Sequence, residues 1–134
     1  MSHFTKVTTK IKNLIRLKDV LKASDYTFEE ATDQNTINIK GWNKETTEVL
    51  LKIKTGGSYE IGVVQNQEGQ YEFVADWWGV ETTAGLTQKD FIDKITQQYA
   101  YSTVREKMKQ KGYDVVTEEV DEKQNIRIVV RKWE

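Results

Sequence analysis

The stretch VLLKIKTGGSYEIGVVQNQEGQYEF, residues 49–73, decides the fold. Val49, Leu51 and Ile53 alternate with polar or outward positions, then Gly56-Gly57 supplies a turn. Tyr59, Ile61 and Val63 repeat the alternation, Asn66 to Gly69 turns again, and Tyr71 and Phe73 begin a third run. Period-two patterning broken by Gly- and Asn-rich turns predicts an antiparallel meander with one half-buried face. In that reading Val49, Leu51 and Ile53 share a face.

Outward from the meander, the flanks add helices and further strands. Val7, Thr9 and Ile11 alternate with Lys6, Thr8 and Lys10, which predicts a first strand rich in β-branched residues. Asn13 is a helix cap, and Leu14, Leu17, Val20 and Leu21 follow at helical spacing until about Ser24-Asp25. Tyr26 to Ala31 and Ile37 to about Trp42 read as two strands joined by Asp33-Gln34-Asn35. Gly79 and Gly85 bracket an expected loop. Thr87 then opens the longest helix, with Asp90 in its first turn and a buried stripe of Phe91, Ile95, Tyr99, Val104 and Met108. Gly112 stops it, and two strands, Val115 to Val120 and Ile126 to Trp133, close the chain. The sum is one α+β domain over residues 1–134. It has two layers, a mainly antiparallel sheet with two main helices packed on one face.

The order of elements suggests an internal helix–strand–strand repeat. Leu17 to Leu21 aligns with Val104 to Met108, Tyr26 with Tyr113, Ile39 with Val130 and Trp42 with Trp133. The alternative is chance similarity between two amphipathic segments. In each unit the Trp has the opposite strand parity to its aliphatics, so it is expected on the other sheet face.

Composition narrows the chemistry. The 134 residues carry 31% charged side chains, mixed in sign, and a formal net charge of −1. That balance disfavours broad nucleic-acid binding through phosphates. There is no Cys, which removes disulfides, thiolate metal sites and cysteine nucleophiles. His3 is the only histidine, so a histidine triad or multi-histidine metal centre is excluded. The carboxylate pairs Glu29-Glu30 and Glu118-Glu119 lie on strands, where neighbours point apart, and read as solvated rims. No phosphate-cradling glycine motif occurs. No run approaches the roughly 18 apolar residues of a membrane span, and the N-terminus has no secretory h-region. Neither a cofactor nor a metal is expected, and the chain is not expected to be an enzyme. The basic side chains Lys6, Lys10, Lys12, Arg16, Lys18 and Lys22, against Asp19 alone, are either a docking surface for an acidic partner or a solvated face.

Aromatic residues carry the candidate site. Tyr71-Glu72-Phe73-Val74-Ala75-Asp76-Trp77-Trp78-Gly79 is the most specific-looking segment. Read as strand, its adjacent tryptophans face opposite ways, one into the core and one toward a loop, ligand or partner. Asp76 beside them is placed to bond an indole N–H or a ligand. Trp42 and Trp133 complete the candidate set, since aromatic anchors are favoured at interfaces. A protein partner of unknown identity is the first expectation. A small-ligand pocket around Trp77, Trp78 and Asp76 is the second.

Four segments resemble a known family: Met-Ser-His-Phe-Thr at 1–5, Ala-Asp-Trp-Trp-Gly-Val-Glu at 75–81, Gln-Gln-Tyr-Ala-Tyr at 97–101 and Ile-Arg-Ile-Val-Val-Arg-Lys-Trp at 126–133. In these the chain is similar to the chloroplast open-reading-frame family called hypothetical chloroplast reading frame 35, over nearly its whole length. The resemblance implies a plastid stroma or a bacterial cytoplasm. It brings no established activity and no catalytic residues to carry over. An accessory role in a photosynthetic or other multi-protein assembly is the functional expectation.

Overall fold

The computed structural model describes residues 3–120 and 125–132. The meander is its centre. Strands β5 (Leu51–Ile53), β6 (Ile61–Gln65) and β7 (Tyr71–Ala75) pair antiparallel in succession, with Leu51 opposite Val63 and Val63 opposite Phe73. β1 (Thr5–Thr8) adds to β7 and β2 (Phe28–Glu30) adds to β5, giving the order β1-β7-β6-β5-β2. Asn66 shapes the β6–β7 turn: its side-chain oxygen accepts from the backbone N–H groups of Glu68 and Gln70. Gly69 there has φ +80°, which a β-carbon would oppose.

Three helices bury their apolar sides in one core with one face of this sheet. α1 (Leu14–Ala23) contributes Leu17, Val20 and Leu21, α2 (Trp77–Ala84) contributes Trp77 and Val80, and α3 (Gln88–Gln110) contributes Phe91 and Ile95. They meet Leu51, Ile53, Ile61, Val63, Phe73 and Ala75 from the strands. The caps are those the sequence signals. The Asn13 side chain accepts from the Arg16 N–H and Thr87 Oγ1 from the Asp90 N–H. α1 and α3 are tied by the Asn13 N–H donating to the Tyr99 hydroxyl at 3.2 Å, and by Arg16, which pairs with Glu106 and donates to Thr103.

The opposite face of the sheet is also covered. β3 (Ile37–Lys40) and β4 (Thr46–Val49) form a hairpin whose Ile39 and Val49 pack on Val74. This third layer was not expected from the sequence, and it corrects the placement of Val49. The chain bends at Leu50, so Val49 and Leu51, two apart, enter different cores. The bend is fixed by two hydrogen bonds at Leu50: its N–H donates to Val63 and its carbonyl accepts from Ala31, both at 2.8 Å. Gly62 makes the close approach of the hairpin feasible. A β-carbon there would lie 2.3 Å from Val49 Cγ1.

The helix–strand–strand repeat does not extend to pairing. β8 (Tyr113–Val120) and β9 (Ile126–Lys132) pair with each other, whereas β2 joins β5 and β3 joins β4. The two segments share an amphipathic pattern, but each strand after α1 pairs elsewhere. The stripe on α3 is shorter than its pattern suggests: Val104 is exposed.

Candidate functional site

The segment after β7 is a helix, not a strand followed by a loop. Asp76 caps α2, its Oδ1 accepting from the Gly79 N–H at 3.1 Å. Gly85, at φ +70°, ends the helix by donating to the Glu81 carbonyl at 2.9 Å. Eight residues are too few for helical periodicity to show in sequence, and Gly79 in the helix interior costs about 1 kcal/mol relative to Ala. The reason for glycine is contact: a β-carbon at 79 would meet the Tyr59 ring at 2.9 Å.

This correction changes why the two tryptophans part. Consecutive helical residues rotate by about 100° around the axis, which suffices to send Trp77 inward and Trp78 outward. Trp77 is buried in the helix-side core beside Phe91, and its indole N–H donates to the Thr5 carbonyl at 3.1 Å. Trp78 is 49% exposed.

Trp42 comes to Trp78 from the opposite side of the fold. It stands in the β3–β4 turn, beyond the end of the strand, so the parity expected for it does not apply. The turn is closed by Gly41 N–H to the Glu45 carbonyl at 2.9 Å and Lys44 N–H to the Gly41 carbonyl at 3.1 Å. The Trp42 N–H then donates to Asp76 Oδ2 at 2.8 Å. Asp76 is 1% exposed, so its carboxylate is a buried pin with both oxygens engaged. One oxygen starts α2 and the other holds the hairpin turn.

The result is an aromatic corner. Trp42, 47% exposed, meets Trp78 edge to face at 4.5 Å between centroids, and Tyr59 lies tilted against Trp42 at 6.0 Å. At these separations the rings touch one another and leave no slot between them. They form a pre-ordered platform, not a cage. Tyr59 was not among the expected site residues. Gly79, whose missing side chain admits its ring, is the signal that points to it.

The remaining expected site residues lie elsewhere. Tyr71 is buried in the helix-side core and does not reach the corner; its backbone bonds Thr9 and Ile11. Trp133 falls outside the described residues. Among the described residues no group of three or more His, Asp or Glu side chains is placed to hold a metal ion. No helix of the described residues is long and apolar enough to cross a membrane. Of the basic N-terminal set, Arg16 pairs with Glu106 and Lys18 with Glu30, so part of that charge is spent within the fold.

Comparison with known proteins agrees with the resemblance noted in the sequence. The family described as "Protein of unknown function (DUF1257)" matches residues 21–129. "Uncharacterized protein ycf35" of Cyanophora paradoxa is 33% identical over 99% of this chain and 98% of its own length. The proteins of the same name from Guillardia theta and Pyropia yezoensis are 32% and 30% identical over the same shares. No solved structure matches. The chain belongs to the DUF1257 family, with uncharacterised ycf35 proteins as full-length relatives.

Proposed function

We propose that this protein is a non-catalytic accessory protein that docks a partner protein through the Trp42–Trp78–Tyr59 corner. The observation that carries the proposal is the pair of half-exposed tryptophans in mutual contact, fixed from beneath by the buried Asp76 carboxylate. Tryptophan is enriched among residues that dominate interface energy, and a platform ordered before binding loses little side-chain entropy. We further place the protein in a plastid stroma or cyanobacterial cytoplasm, in support of a photosynthetic or other multi-protein assembly.

The test is affinity capture from native extract with the full chain and with Trp42→Ala/Trp78→Ala in parallel. The expected result is a partner recovered reproducibly by the unaltered chain and lost with the variant, while the variant still unfolds cooperatively with a midpoint only a few degrees lower. Repeated recovery of nothing, or of the same proteins by both, contradicts the proposal.

A small-ligand module around Trp77, Trp78 and Asp76 is the second reading, and the geometry supports it less. Trp77 is committed to the core, and both Asp76 oxygens are already engaged. A metabolite or pigment that raises the thermal midpoint, with the shift abolished by Trp78→Ala, would favour it.

A further inference from the structure

A groove lies between α3 and the segment running from the end of β1 to Ile11, and it shares no residue with the aromatic corner. Its volume is about 550 Å³, and its walls include Ile11, Ile92, Tyr99 and Val104 with Thr9, Thr96 and Thr103. By residue type this wall is half polar. Its hydrogen bonds make it almost wholly carbon. The Thr9 hydroxyl donates to the Tyr71 carbonyl at 2.7 Å, that of Thr96 to Ile92 at 2.7 Å and that of Thr103 to Tyr99 at 3.0 Å. The Tyr99 hydroxyl accepts from the Asn13 N–H. The Thr9, Thr96 and Thr103 hydroxyls are each occupied by a backbone carbonyl and that of Thr8 by the Glu72 carboxylate, which leaves mainly methyl and ring carbons as the groove's surface.

The apolar stripe of α3 explains where the groove comes from. Phe91 and Ile95 are spent in the core, while Tyr99 and the exposed Val104 continue the stripe along the groove. Lys10 is the one charged residue among the described lining residues, and it makes no ion pair among the described residues.

We propose that this groove binds a single-chain anionic amphiphile, of the fatty-carboxylate class, with its chain along α3 and its head group on Lys10. The volume lies within the range of small-molecule sites, roughly 300–1,000 Å³. Such a wall exposes mostly carbon, so a polar ligand would find few partners there, whereas every methylene removed from water adds affinity. The Lys10 ammonium selects a negative head over a positive one.

The test is calorimetric titration of the full chain with decanoate, dodecanoate and dodecylammonium, each below its micellar concentration. Dodecanoate is expected to bind one to one, about tenfold tighter than decanoate for its two extra methylenes. It is also expected to bind more tightly than dodecylammonium. Lys10→Glu should reverse that head-group preference. Ala100→Trp, at an exposed position in the groove wall, should abolish binding with the thermal midpoint unchanged. Should that variant lower the midpoint, Val104→Glu at the exposed lip carries the expectation of weakened carboxylate binding instead. The proposal is overturned by absence of binding, by equal affinity for the two head groups, or by dodecanoate affinity that neither groove variant changes.

Discussion

Two aromatic clusters meet at the Trp77–Trp78 dipeptide, one inside the protein and one on its surface. The inner cluster joins Trp77, Phe91, Phe73 and Tyr26, with Phe73 and Tyr26 each edge to face on Phe91 at 5.2 Å and 5.4 Å. The outer cluster joins Trp78, Trp42 and Tyr59. Ring chemistry and contact geometry are alike in both. What differs is water: Phe73 and Phe91 are buried, while Trp42 and Trp78 are each about half exposed. The inner rings have an evident return in stability from burial. The outer rings keep much of their surface in water, and mutual contact alone is worth only about 0.5–1.5 kcal/mol. Order without burial is the property a docking surface needs.

The difference sets a graded series of expected effects. Trp77→Ala should be the most damaging, lowering stability by about 3–5 kcal/mol in urea denaturation, because it opens a cavity in the inner cluster. Asp76→Ala comes next, at about 2–4 kcal/mol. It removes a helix cap and leaves the buried-side Trp42 N–H without its charged acceptor. It should also unfasten the outer cluster, seen as a shift of tryptophan emission toward that of water-exposed indole. Gly62→Ala should cost about 1–3 kcal/mol by pressing the hairpin off the sheet, since the added carbon meets Val49. If it costs nothing, the hairpin layer does not pack as described.

Trp78→Ala should cost about 1 kcal/mol or less while removing partner capture. A loss as large as that of Trp77→Ala would erase the distinction between the clusters. The smallest effect concerns pH. Burial raises the Tyr26 hydroxyl above its ordinary value of 10.0. A raised folded-state value contributes stability that is present below the unfolded value and lost as pH rises through the folded one. Alkaline titration followed by thermal melts should therefore show a decline above about pH 10 that Tyr26→Phe lessens.

Much of the inner half was legible in the sequence. The meander from Leu51 to Phe73, the caps Asn13 and Thr87, and the stop at Gly112 all follow from local patterning, and the structure places them there. The parts that escaped depend on tertiary contact. The bend at Leu50 is made by hydrogen bonds to Val63 and Ala31, from distant positions in the chain, so alternation alone carried Val49 to the wrong face. α2 is short and contains a glycine chosen for Tyr59, so it looked like a loop. At the site, Trp42 and Trp78 were legible as aromatic anchors and Asp76 as their polar neighbour. The Asp76 role as a pin for two backbone N–H groups, and the part of Tyr59, needed the packing of hairpin against helix.

The most direct test of the docking claim is hydroxyl-radical footprinting of the tryptophans, in the purified chain and again in complexes captured from native extract. Trp42 and Trp78 should label readily in the purified chain and become protected in the complexes, while Trp77 stays protected in both. Equal labelling of Trp42 and Trp78 in the two preparations would contradict the assignment of the aromatic corner as the docking surface.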